Sequence, residues 1–203
     1  MHSQRQRQRQ LDKYSSAIAP YARAAPPVVP AESVLLVVDM QEYFASICEP
    51  ITETVNWAIA ACRAKGVGVF FTQHGHAEPQ RDGGMLGEWW GDLIVEGTAE
   101  HRLVSDLHVA ADDLVVAKRR YDAFFGTALE RVLHERGIRD LCVAGVMTNL
   151  CVETTARAAF VRDYRVRVLL DGTATASEEL QIAALRNLAF GFAHVQTAAD
   201  WLA

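Results

Sequence analysis

The sequence predicts an α/β fold: a doubly wound, mostly parallel sheet of about six strands with helices on both faces, in the manner of Rossmann-like domains. Three observations carry this. Short apolar or β-branched runs alternate with helical patterns about five times along the chain. Val34-Leu35-Leu36-Val37-Val38 is apolar at every position, as in a strand covered on both faces. Leu141-Cys142-Val143-Ala144 then passes through Gly145 into a helical pattern starting at Cys151. That is a strand-to-helix junction, and ligands bind beyond the carboxyl ends of such strands.

A chain of 203 residues, 50% of them hydrophobic, is large enough for one domain with a full core. The formal net charge of −5 argues against a nucleic-acid surface. No apolar run approaches the roughly 18 residues of a membrane span, and the first residues lack the apolar centre of a secretory signal. A cytoplasmic location is therefore expected. Cys48, Cys62, Cys142 and Cys151 form no Cys-x-x-Cys pair, so neither a zinc knuckle nor a disulfide framework is suggested.

Taken in order, residues 1–14 alternate Gln and Arg with little to bury and read as a disordered tail. Residues 15–33, with Pro20, Pro26, Pro27 and Pro30, read as an extended segment. The domain proper is expected over 34–203. Val34–Val38 is the first strand and delivers Asp39 at its end. Thr52 to Lys65 reads as a helix stopped by Gly66, and Val67 to Thr72 as the second strand. A long Gly-rich stretch from Gln73 to about Thr98 follows, and loops of this length in a compact domain are usually functional. Asp113–Ala117 is the third strand and presents Lys118. Thr127 to Arg136 is a helix, Leu141–Ala144 a strand, and Cys151 to Asp163 a helix. Val166–Leu170 is the next strand, Ser177 to Leu188 a helix, and His194–Thr197 a last short strand. Thr175 with Glu178 has the spacing of a capping box.

Chemistry concentrates at the strand ends. A thiol in the first turn of a helix feels the positive end of the macrodipole, which favours the thiolate and makes Cys151 a candidate nucleophile. A carboxylate leaving a buried strand, Asp39, suits a general acid or base. A cation beside it, Lys118, would favour a thiolate and an oxyanion. His74-Gly75-His76 invites a metal reading, but two His make an incomplete site, and substrate hydrogen bonding or pocket lining suits them better. Trp89 and Trp90 fit pocket walls, a subunit interface or the core equally.

The segments Leu35–Gln41, Lys118–Thr127 and Gly145–Arg157, in this order, resemble the isochorismatase-like hydrolase superfamily, specifically its cysteine hydrolase branch. The resemblance runs from about Val34 to the C-terminus. It implies a triad of Asp39 as proton shuttle, Lys118 as ordering cation and Cys151 as nucleophile. It also implies a cis peptide at Val146-Met147, with the backbone N–H groups of Met147 and Cys151 facing an oxyanion. The implied reaction is hydrolysis of an amide, carbamoyl or ureido C–N bond of a small molecule through a thioester, with no cofactor. Vinyl-ether-cleaving isochorismatases carry Gly at the nucleophile position, so Cys151 favours amide hydrolysis. Nicotinamidases begin a metal site with Asp-x-His where this chain has His74-Gly75-His76, which disfavours a metal-dependent nicotinamidase. The stretch from His74 to Trp90 looks more like metal-free amidases. Phe44, His74, His76, Trp89, Trp90, Tyr121 and Asn149 are the expected substrate-binding residues. Family members commonly form dimers or tetramers, so a homo-oligomer is expected, with neither nucleic acid nor membrane as a partner. Two other classes remain open: a vinyl ether hydrolase using Asp39 as acid, with Cys151 incidental, and a non-catalytic binding subunit.

Overall fold

The computed structural model describes residues 2–203, with side-chain surroundings from residue 5 onward. Its strands are β1 (Ser33–Val38), β2 (Gly68–His74), β3 (Leu114–Lys118), β4 (Asp140–Val146), β5 (Arg165–Ala174) and β6 (His194–Gln196). They form one six-stranded sheet in the order β3-β2-β1-β4-β5-β6, and every pairing is parallel. The chain winds outward from β1 in one direction and from β4 in the other. The switch point therefore lies between these two strands, and the crevice beyond their carboxyl ends is where such sheets hold ligands.

All six residues of β1 are buried, which explains its unbroken apolar run. Val34, Leu36 and Val38 pack with α5 (Leu129–Glu135), α6 (Glu153–Phe160) and α7 (Glu178–Gly191). Leu35 and Val37 face the other way, onto α2 (Ala45–Lys65) and α8 (Ala198–Trp201). Helix α2 ends on Gly66 at φ 74°, a left-handed conformation that glycine adopts without a Cβ clash. At Gly145 the need is sharper. Its φ is 105°, and a Cβ there would lie 2.1 Å from the Val38 carbonyl oxygen. Only glycine lets β4 pass this close to β1, just where β4 shifts register against β5.

Several expectations are corrected. Residues 1–14 were expected to be disordered and 15–33 extended, but α1 runs His2–Ile18 and only the following residues, 22–29, are free of helix and strand; Met1 lies outside the described residues. Leu11, Tyr14 and Ile18 fall at i, i+3 and i+7 and pack into the core beside α7. Gln and Arg are themselves good helix formers. Arg186 Nε donates to the Ala17 carbonyl (3.1 Å), and Lys13 pairs with Glu178. Helix α2 starts seven residues' worth of chain earlier than the Thr52 expected, at Ala45, with Pro50 inside it. The lost N–H of that proline forfeits one bond near the helix start, while Cys48 and Ile51 are buried around it. Thr175 is not a helix cap. Ser177 takes that place, its Oγ accepting from Leu180 N–H (3.3 Å), while the Thr175 hydroxyl donates to Asn149 Oδ1. The helix expected from Cys151 begins with a single π turn, Thr148–Val152, and α6 starts only at Glu153. The Gly-rich stretch contains two short helices, α3 (Pro79–Asp82) and α4 (Met85–Trp90).

Candidate active site

Asp39, Lys118 and Cys151 lie far apart in sequence, and the sheet brings them together. Asp39 follows β1 directly, with φ 48°, an unusual conformation for a residue with a side chain, and is fully buried. Its backbone N–H donates to Thr72 Oγ1 (3.1 Å), and that hydroxyl donates back to Asp39 Oδ1 (2.6 Å). Thr72, from β2, thus fixes both ends of the residue. Lys118 ends β3, in register with His74 of β2. Its Nζ lies 2.6 Å from Asp39 Oδ2 and donates to the carbonyls of Arg120 (2.8 Å) and Tyr121 (3.4 Å). Two carbonyl acceptors and one ion-pair partner hold the ammonium group in place.

Cys151 sits in the π turn beyond β4 and lines the same cavity as Asp39. Burial pushes its thiol up to about 12; Lys118 opposes this and Asp39 adds to it. The expectation that a helix start and Lys118 would yield a resting thiolate is therefore corrected. The resting group is a thiol. Burial also works against the Lys118 ammonium, but Asp39 and then Cys151 outweigh it and hold its pKa above the ordinary lysine value. The Val146–Met147 peptide is cis. The Met147 carbonyl accepts from Leu150 N–H (3.0 Å) and Val152 N–H (3.2 Å), with Cys151 between them.

Asp39, Met147 and Cys151 floor a cavity of about 410 Å³, with Lys118 buried behind Asp39. Of the expected substrate-binding residues, Phe44, His74, Trp90 and Tyr121 line it. The other three do not. His76 is fully buried behind it, with Nδ1 3.0 Å from Asp82 Oδ1; Trp89 points outward at 76% exposure; Asn149 is engaged with Thr175. Sequence reasoning missed Tyr43, Ile47, Asp92, Ile94 and Leu150, among others in the lining. Tyr43 and Leu150 carry a signal, since they lie within a few residues of Asp39 and Cys151. Burial and then Lys118 push His74 down to about 4, so it is a neutral imidazole at neutral pH. Gln41 holds its backbone from both sides, donating to the His74 carbonyl (2.9 Å) and accepting from its N–H (2.8 Å). Among the described residues, no three His, Cys, Asp or Glu side chains converge as a metal site, and the donors around His74 and His76 do not fit one.

Comparison with known proteins bears on this geometry. The model of the Isochorismatase domain matches residues 33–200. Nicotinamidase 3 of Arabidopsis thaliana is 47% identical over 166 residues, covering 80% of this chain and 83% of the relative. Ureidoacrylate amidohydrolase RutB of Enterobacter sp. (strain 638) is 34% identical over 203 residues, covering 85% and 88%. The crystal structure of a cysteine hydrolase from Pseudomonas syringae pv. phaseolicola 1448A superposes with a TM-score of 0.84 at 26% identity, covering 88% of this chain and 94% of that one. Family match, parallel sheet and amide-cleaving relatives agree: the chain belongs to the isochorismatase-like hydrolases, in their cysteine hydrolase branch, as an amidohydrolase acting on carbon–nitrogen bonds other than peptide bonds.

Proposed function

We propose that Cys151, Asp39 and Lys118 form the catalytic triad, and that the substrate is a small, flat carboxamide of the nicotinamide type. The observation that carries this is one thiol and one carboxylate, Cys151 and Asp39, lining a single cavity, with the Lys118 ammonium buried 2.6 Å behind Asp39. As the substrate carbonyl enters, the Cys151 proton passes to Asp39 and the sulfur attacks the carbonyl carbon. The oxyanion is received by the backbone N–H groups of Met147 and Cys151, while Lys118 keeps the developing negative charge balanced. Asp39 then gives its proton to the nitrogen, ammonia leaves, and a thioester remains on Cys151. Asp39 next takes a proton from water, the hydroxide displaces sulfur, and the acid and the thiol are released. One amide and one water give one acid and one ammonia.

Because burial pushes the Cys151 thiol up to about 12, its proton has to pass to Asp39 before the sulfur attacks. The aromatic wall of Phe44, Trp90 and Tyr121 supports a planar ring beside the reacting carbonyl. Trp90 Nε1 donates to the Tyr121 hydroxyl (2.7 Å), holding two of these rings together. Four free, buried cysteines support a reducing, cytoplasmic setting. The exposed large apolar side chains of Met85, Trp89 and Phe125 support assembly into a homodimer or tetramer.

The test is ammonia release from nicotinamide combined with intact-mass spectrometry. Native protein is expected to release ammonia and to carry a transient acyl adduct on Cys151. Cys151→Ala is expected to lose activity by about 10³-fold or more. Full activity in that variant would mean that Asp39 works as an acid without a nucleophile, as in vinyl ether hydrolysis. Binding without turnover by native protein would leave the binding-subunit reading standing.

A further inference from the structure

Charge is distributed unevenly along the cavity. At its floor the Asp39 carboxylate is matched by Lys118. At its mouth stands Asp92, exposed, whose one side-chain partner among the described residues is the neutral Tyr43 hydroxyl, donating to Oδ2 at 2.9 Å. Lys118 is buried behind Asp39 and does not reach the cavity surface, and among the described residues that line the cavity none is Lys or Arg. Any group a ligand holds toward the mouth therefore meets an uncompensated carboxylate, with one oxygen still free to accept. The Tyr43–Asp92 bond ties the turn after β1 to the strand-free loop after α4, which fixes that carboxylate in place.

We propose that Asp92 selects substrates by charge: amides whose outer end is cationic are favoured, neutral ones such as nicotinamide are accepted without preference, and anionic amides such as ureido acids are turned away. This rests on the amidase reading of the same cavity. Selection works by like-charge repulsion as much as by attraction. For unit charges about 6 Å apart at a wet mouth, each sign is worth about fivefold in affinity.

The test uses three ligands of one shape, benzamide, 3-(aminomethyl)benzamide and 3-carboxybenzamide, titrated calorimetrically into the Cys151→Ala protein. The cationic ligand is expected to bind about fivefold tighter than the neutral one, and the anionic ligand about fivefold weaker. Adding Asp92→Asn, whose amide oxygen still accepts from Tyr43, should collapse the spread, and so should salt at about 0.5 M. Equal affinities for the three ligands, no measurable binding of the cationic one, or a spread that persists in Asp92→Asn overturns the proposal. Turnover of benzamide by the native protein reports separately on the amidase reading. Charge-ordered binding without turnover would therefore sink that reading and leave the selection standing.

Discussion

His74 shows how one site residue becomes sensitive to its neighbours. Its ring is held beside Lys118 in a buried place, and its pKa of about 4 lies below the ordinary 6.5. In that window the unfolded chain binds a proton that the folded chain refuses. Stability is undiminished above pH 6.5 and declines as pH falls toward 4, by about 2 kcal/mol between pH 7 and pH 5 from this group. Urea midpoints at the two pH values should record the decline, and His74→Gln should lower it by that amount. A variant with the same slope as the native protein would mean that His74 is protonated when folded. Residues of this kind were readable as site residues because they end apolar strands. The protonation state of Cys151 was not readable, since it depends on how deeply the thiol is buried and on Asp39, 112 positions earlier in the sequence.

Among the elements, the passage from β4 into the π turn is the least tolerant. Gly145→Ala would drive a methyl group into the Val38 carbonyl at 2.1 Å while keeping φ at 105°. Backbone surrounds that methyl group, so no side chain can swing aside. A loss of about 3 kcal/mol or more is expected, read as a lower urea midpoint, together with a drop in activity as Cys151 shifts. A midpoint within error of native would show that β4 can move away from β1. Strands were the most legible elements, because burial on both faces leaves an unmistakable apolar run. Helix α1 was missed because its polar Gln/Arg half hides the spacing of Leu11, Tyr14 and Ile18. The cap at Ser177 was missed because Thr175 offers the same kind of hydroxyl at a tempting distance from Glu178.

Across the whole molecule, the buried Arg167 guanidinium binds both oxygens of Asp140 (2.8–2.9 Å) and the Pro26 carbonyl (2.7 Å). It thereby ties the segment before β1 to the amino-terminal end of the sheet, away from the cavity. The opposite end carries Met85, Trp89 and Phe125 exposed at 65%, 76% and 64%. If these surfaces meet between subunits, Trp89→Glu should lower the mass measured by light scattering, whereas an unchanged mass would place the contact elsewhere. The floor of the site was legible in the sequence because three strands build it. The roof was not, because residues 75–112 carry no periodicity that says which side chains turn inward, and Asp92 and Ile94 are found only by folding. That division has an evolutionary consequence. The reacting groups are anchored by the sheet, whereas the mouth hangs on a stretch the sheet does not need. Mutations can therefore explore new substrates in residues 75–112 while the chemistry beneath them is inherited intact.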